Sequence, residues 1–271
     1  MHFCRLLFAH LIHTGTRAQK SAISLFDDKG IHFNVSLVNY GGVKLLIPSM
    51  DSYISRFVRA TGTFDPKERD YLLGLVSAGD KIIEVGANIG PYSVYLARAL
   101  GEEGHLLCFE PFKLLYQILT ANVALNGISN TRTFQIGLAA RPKKALLVEG
   151  PNLKRTDNYG ASSLLDESSR PWTFAHPEIQ AIELGILDDY IKDTPSVSLV
   201  KIDVEGMEFE VLQGAQSLIR RDSPIIYAEN SMTNKAAGGK TFEDFMSDNF
   251  GYICDRPREL WSHNIVICKK M

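Results

Sequence analysis

The chain of 271 residues has no hydrophobic run long enough to cross a bilayer. Its most apolar opening stretch, Phe3-Cys-Arg-Leu-Leu-Phe-Ala-His-Leu-Ile12, is interrupted by Arg5 and His10, and no small-residue cleavage site follows. That stretch reads as a helix packed on the domain rather than a signal peptide or anchor. Cysteine is scarce: Cys4, Cys108, Cys254 and Cys268 form no C-x-x-C or metal-finger spacing, which excludes a zinc-stapled module. Cys108 and Cys268 lie inside apolar strand-like runs, where a thiol acts as a small buried hydrophobe, so a reducing cytoplasm is the simplest expectation. Charge of one sign is also missing. A net charge of -2 with no basic run gives no electrostatic reason to expect nucleic acid or an anionic membrane surface. There is no internal repeat and no low-complexity segment. What remains is an ordinary globular composition, 45% hydrophobic and 22% charged, long enough to bury a substantial core.

Turn and capping signals divide the chain. Phe33, Val35 and Leu37 alternate with polar residues, Gly41-Gly42 supplies a positive-φ turn, and Val43 to Ile47 returns, predicting a β-hairpin over 31–48. Asp65-Pro-Lys-Glu68 predicts a helix start, with Asp65 as cap, Pro66 at the first helical position and Glu68 completing a capping-box-like arrangement; Gly79 marks the end. Strand and helix then alternate: strands over 81–85, 105–109 and 132–138, helices over 92–100 and 112–126. After an interruption the rhythm resumes, with strands over 198–202 and 224–228 and helices over 208–220 and 242–246. Tyr252 to Cys254 and Asn264 to Cys268 read as a closing hairpin with His263 in its turn. This alternation predicts an α/β doubly wound parallel sheet. The interruption, about 141–180, is turn-rich and polar and reads as a substrate-side insertion carrying Tyr159, Trp172, Phe174 and His176. The expected organisation is an N-terminal extension over 1–60 and one catalytic domain over 61–271.

Three apolar runs stop abruptly at carboxylates: Glu84-Val-Gly-Ala-Asn-Ile-Gly90, Leu106-Leu-Cys-Phe-Glu-Pro111 and Lys201-Ile-Asp-Val-Glu-Gly-Met-Glu208. In an open α/β sheet, ligands bind outside the carboxyl ends of the strands where strand order reverses, so these ends predict a cofactor crevice. The first is a glycine turn between strand and helix. A dinucleotide fingerprint wants G-x-G-x-x-G, but Asn88 holds the central position and Pro91 the last, so a pyrophosphate fits poorly and a smaller cofactor fits better. Glu110, about two dozen residues beyond Gly86, stands where an acidic side chain takes both ribose hydroxyls.

Together with Leu187-Asp-Asp-Tyr190, these segments resemble the FkbM-type methyltransferases, class I enzymes dependent on S-adenosyl-L-methionine, many of which methylate hydroxyls of sugars or macrolide-type products. The resemblance runs from about Tyr53 to Asn230, and Lys201-Ile-Asp-Val-Glu-Gly206 is its most specific part. It implies a class I Rossmann-like sheet of seven strands, mostly parallel with the last antiparallel. It also implies cofactor contacts from Glu84, Gly86, Ala87, Asn88 and Gly90 at the methionine end, from Glu110 at the ribose, from Gly137 near the adenine, and from Pro111 and Asp203. Pro91, where an aromatic is common, and Phe112-Lys113, in place of a proline-bearing turn, depart from the family pattern.

An alcohol acceptor must lose its proton, which calls for a base or a metal. Asp203 and Glu205 are the expected catalytic carboxylates; the alternative is that they only cap the next helix, where the dipole favours acids. His176, beside Trp172 and Phe174, is a further candidate base. Asp203, Glu229 and Asn230 form an all-oxygen set suited to Mg²⁺, similar to the metal site of catechol-type O-methyltransferases. The reading is S-adenosyl-L-methionine-dependent O-methylation of a small molecule or glycan. A NAD-dependent oxidoreductase, disfavoured by Asn88 and Pro91, and a non-catalytic domain retaining the cofactor fold are the alternatives.

Overall fold

The computed structural model describes residues 22–26, 32–147, 164–165, 181–192, 196–231, 233–236, 238–260 and 264–270. Among these, no helix is long and apolar enough to cross a membrane. The expected N-terminal helix, Tyr159, Trp172, Phe174, His176 and His263 lie outside the described residues.

The central sheet has seven strands: β4 (Lys81–Val85), β5 (His105–Phe109), β6 (Thr131–Phe134), β11 (Leu199–Ile202), β12 (Ile225–Glu229), β13 (Tyr252–Asp255) and β14 (Ile265–Lys270). Their order is β13-β14-β12-β11-β4-β5-β6. β12, β11, β4, β5 and β6 pair in parallel, while β14 is antiparallel to both neighbours. The sheet is thus mostly parallel with its last strand reversed, the class I methyltransferase arrangement. From β4 the chain winds outward through β5 and β6, then returns to β11 on the opposite side of β4. The boundary between β4 and β11 is therefore the switch point at which ligand crevices open.

Alternating side chains explain why the sheet is covered on both faces. Ile83, Val85, Val200 and Ile202 point into one core with Phe209 and Leu212 of α6 (Glu208–Gln213), Leu218 of α7 (Gln216–Asp222) and Phe245 of α8 (Phe242–Phe250). Ile82, Leu106, Cys108 and Tyr227 point the other way, against Leu72 of α2 (Pro66–Gly74), Leu96 and Leu100 of α3 (Ser93–Leu100) and Leu119 of α4 (Lys113–Leu125).

Several boundaries differ from the sequence expectation. The strand over 132–138 is two strands: β6 closes the main sheet, and β7 (Gly137–Leu138) joins a second sheet, order β7-β10-β8-β9, with β8 (Lys143–Leu147), β9 (Leu164–Leu165) and β10 (Ala181–Gly185). The insertion thus carries paired strands where only turns were expected. The helix over 208–220 breaks at Gly214, which lies so close to the main-chain oxygen of Ala139 that a side chain there would collide with it. The Gly214 carbonyl accepts from Asp188 N–H at 3.0 Å. The α2 helix stops at Gly74, short of Gly79. Cys268 is buried, but it is not a free thiol. It lies directly opposite Cys254 in the β13–β14 register and is disulfide-bonded to it. Cys108 is the free, buried cysteine among the described residues. The cysteines therefore give no support to a reducing compartment.

The hairpin around Gly41-Gly42 forms as expected, from β2 (His32–Tyr40) and β3 (Val43–Pro48), and β1 (Ala22–Phe26) adds a third strand on the β2 side. Val35, Leu45 and Ile47 pack on Leu115 and Ile118 of α4 and on Ile54 and Val58 of α1 (Ile54–Thr61). The outer edge of β3 is bonded to side chains. Asn122 accepts from Leu46 N–H at 2.6 Å and donates to Leu46 O at 3.1 Å; Asn126 accepts from Lys44 N–H at 3.0 Å and donates to Lys44 O at 2.7 Å. Four residues apart on a helix and two apart on a strand give matching spacing, so two amides imitate a neighbouring strand. Asn122, fully buried, also donates to Ile89 O at 2.8 Å, tying the extension to the glycine turn. Asn122→Leu should destabilise the fold by about 2–4 kcal/mol, because it strands the N–H and C=O of Leu46 and the C=O of Ile89 in the interior. Chemical denaturation of the two proteins measures this.

Candidate functional site

A cavity of about 560 Å³ opens at the carboxyl ends of β4, β5 and β11, a size typical of small-ligand sites. Glu84, Gly86, Ala87 and Asn88 line it from the first turn, and Glu110, Pro111 and Gly137 from the second and third strand ends. Asp203, Glu205 and Glu229 complete the opposite wall. Two expected site residues are elsewhere. Gly90 does not line the cavity: its φ of 83° turns the chain into α3, and a side chain there would press on Leu119. Asn230 is buried behind the wall, donating to Glu208 Oε2 at 3.2 Å.

The glycines serve chain packing as much as ligand access. Gly86 (φ 82°) lies against the main-chain oxygen of Asp203, so any side chain there would collide with the end of β11. The adjoining backbone is strained as well. Four described non-glycine residues have positive φ, and three of them, Asp65 (25°), Asn88 (52°) and Glu205 (51°), line this cavity. Such strain concentrates where a fold over-determines a functional geometry.

Glu110 is buried, its Oε2 accepting from Asn88 N–H at 2.8 Å and its Oε1 from Phe112 N–H at 3.0 Å. The carboxylate thereby fixes both turns beside it while retaining acceptor capacity toward the cavity. At the switch point, Lys201 of β11 is the register partner of Glu84 of β4, and both side chains are at most 2% exposed. Lys201 Nζ lies 3.9 Å from Glu84 Oε1, 3.4 Å from Asp203 Oδ2 and 5.1 Å from the Tyr92 ring centroid. Glu84 also accepts from Ser93 Oγ–H.

The family model for the methyltransferase FkbM domain matches residues 84–254, which includes every one of these strand ends. The chain belongs to the FkbM methyltransferase family. It is 30% identical over 154 residues to "Methyltransferase sdnD" of Sordaria araneosa, covering 49% of this chain and 59% of that protein. It is 25% identical over 143 residues to "Methyltransferase 1" of Beauveria bassiana (strain ARSEF 2860), covering 49% and 57%. The matches thus span less than two thirds of these curated relatives. Among solved structures, methyltransferase FkbM from Methylobacillus flagellatus KT aligns with a TM-score of 0.49 at 16% identity, covering 72% of this chain and 45% of that one.

In this FkbM chain the cavity wall is acidic, and burial shapes its titration. Glu110 is pushed up to about 7 by burial, opposed by its two backbone hydrogen bonds. Glu205 is raised to about 7, first by burial and then by Asp203 and Glu208. Glu229 is also raised, by burial and by Asp203 and Glu68. The Mg²⁺ expectation gains no support: among the described residues no group of three acidic, histidine or cysteine side chains is placed to hold a metal, and Asn230 Nδ2 donates to Glu208. The positive charge among these acids is the Lys201 ammonium, held protonated by Asp203, Glu84, Glu68 and Glu229 against the cost of burial.

The capping alternative for Asp203 and Glu205 also gains no support. Met207 stands at the N-cap of α6 and no side chain caps the helix; Glu208 accepts from Gly206 N–H at 2.9 Å, and Glu205 lines the cavity. Sequence reasoning missed Glu68, Tyr53 and Phe64, which also line it. Glu68 was read as half of a capping box. Asp65 does cap its N–H at 3.0 Å, but the Glu68 carboxylate turns inward and accepts from Tyr92 Oη–H at 2.9 Å. The fall of Glu68 on the side of α2 that carries Leu72 was the available signal.

Lys201→Met should cost about 3–5 kcal/mol, since it leaves Glu84 buried without its cation. The double variant Lys201→Met/Glu84→Gln should recover part of that loss, a coupling read from denaturation of all four proteins. A second expectation concerns pH. Glu110, Glu205 and Glu229 have folded pKa values above the unfolded carboxylate value, so the folded state binds more protons between about pH 4.5 and 7. Stability should therefore fall as pH rises through that window, with a melting temperature lower at pH 7.5 than at pH 5.5; Glu110→Gln should flatten the slope.

Proposed function

We propose that the protein is an S-adenosyl-L-methionine-dependent O-methyltransferase acting on a hydroxyl of a small molecule or sugar. The observation that carries this reading is the cavity at the switch point, with buried Glu110 on one side and the carboxylates of Asp203, Glu205 and Glu229 on the other. The donor set fits the cofactor. Glu110 would accept from the ribose hydroxyls, Glu84 to Asn88 would surround the methionine end with Asp203, and Pro111 and Gly137 would border the adenine. Gly90 acts one step back, setting the helix that follows. When bound, S-adenosyl-L-methionine supplies a methyl carbon made electrophilic by a sulfonium.

The remaining chemistry falls to the chain. Positioning contributes most, because in-line displacement needs the acceptor oxygen held in a near-attack geometry. Asp203 and Glu205 are the candidate bases for the hydroxyl proton, with Glu229 beside them. A carboxylate raised to about 7 is matched to neutral pH, where it is partly ionised yet basic enough to take a proton. Among the described residues, seven acidic side chains line the cavity against the one cation Lys201, so the site favours a cationic cofactor.

Calorimetric titration tests the reading. Wild type should bind S-adenosyl-L-methionine, and Glu110→Ala should weaken it by at least about tenfold, the loss of a charge-assisted contact. A sulfonium beside carboxylates titrating near 7 stabilises their ionised form, so binding at pH 7 should release protons, seen as a dependence of enthalpy on buffer ionisation heat. The neutral demethylated product should release fewer. Absence of binding to the wild type would sink the proposal. Binding without turnover on any hydroxyl acceptor would favour the non-catalytic alternative.

A further inference from the structure

The mouth of the cavity carries an aromatic cluster that the cofactor reading does not use. Tyr53 and Phe57 are each about half exposed (50% and 49%), unusual for rings of this size. Tyr53, Phe57 and Phe64 contact one another edge to face, with centroids 5.4–6.2 Å apart, and Phe64 continues the contact to Tyr92 at 6.0 Å. Tyr53, Phe64 and Tyr92 also line the cavity, so the exposed rings and the interior form one continuous surface. The main chain that carries Tyr53 is anchored. Tyr53 N–H donates to Asp51 Oδ1 at 3.3 Å, and buried Asp51 accepts from Ser55 N–H at 2.5 Å, fixing the first turn of α1.

We propose that Tyr53 and Phe57, with Phe64 beneath them, are the acceptor subsite of the methyltransferase, taking a neutral hydroxylated ring whose apolar face stacks on the aromatics. The inference rests on the methyltransferase reading, and charge selects the acceptor class. Asp65, Glu68 and Glu229 line the same cavity, so an anionic acceptor meets carboxylates that outnumber the one ammonium of Lys201. A cationic acceptor would have to bring its reacting atom to a sulfonium and beside the Lys201 ammonium. A neutral ring avoids both penalties: its C–H face covers the rings, and its hydroxyls donate to carboxylates, which accept only. The same hydrogen bond that orients the acceptor hydroxyl points its proton at a base.

A matched pair tests this: methyl glucoside as the neutral probe and its glucuronate as the anion. Their binding to the full chain saturated with the demethylated cofactor is measured by saturation-transfer NMR. The neutral ring should bind at least about tenfold more tightly than the anion. Tyr53→Ala and Phe57→Ala should each weaken it about five- to tenfold, as loss of a stacking ring does. Both positions are exposed, and cofactor affinity, measured on the same samples, should be unchanged. Equal binding of the anion, no effect of either substitution, or no binding of the neutral ring while the cofactor still binds would overturn the subsite alone. Ring binding that depends on Tyr53 in a protein that binds no cofactor would instead leave the subsite standing and remove the methyltransferase reading.

Discussion

A single buried cation sets the terms for the rest of this structure. Lys201 sits in the middle of the sheet, in register with Glu84 across the β4–β11 boundary and within reach of Asp203. Either charge alone would be costly there, because an unpaired buried ion destabilises a fold by several kcal/mol. Together they pin the two strand ends that frame the cavity. Once those ends are fixed, Gly86 must lack a side chain, since the carbonyl of Asp203 fills its space. Asn88 and Glu205 must then accept left-handed backbone on either side. The acidic wall follows from the same pairing: with one ammonium inside, the remaining carboxylates are undercompensated, and burial lifts several toward neutrality.

Most of this was legible wherever the determining contact is short in sequence. The ends of β4, β5 and β11 are written as apolar runs stopping at Glu84, Glu110 and Asp203, because strand termination and ligand exposure are local events. The reversed last strand was likewise carried by the family resemblance. What was not legible depends on residues far apart. Nothing near Gly214 announces that Ala139 will occupy the space beside it. Nothing near Glu68 announces Tyr92, and nothing near Asn230 announces Glu208, to which its amide donates. Cys254 and Cys268 look like isolated residues until antiparallel pairing sets them opposite each other. The aromatic mouth belongs to the same class: Tyr53, Phe57 and Phe64 span a helix and a loop, and no periodicity marks them as one surface.

The division of labour across the cavity follows from those origins. The cofactor side is built from strand ends of the central sheet, whose geometry is fixed by main-chain pairing. The mouth is built from α1 and the start of α2, which rest on side-chain packing against α4 and the small sheet. Main-chain pairing tolerates little change, whereas packed side chains can be exchanged with modest cost if volume is kept. On the proposed reading, cofactor and acceptor would therefore be held by separate parts of one pocket.

The asparagine ladder on β3 has a consequence for biosynthesis. The edge of β3 is satisfied by Asn122 and Asn126, which lie 76 and 82 residues further along the chain. During translation the small sheet emerges first, with that edge bare, and it stays bare until α4 has left the ribosome. For that interval its main-chain groups are open to pairing with another nascent chain. Vectorial synthesis thus leaves a period of vulnerability that refolding of the finished chain, with α4 already present, does not share.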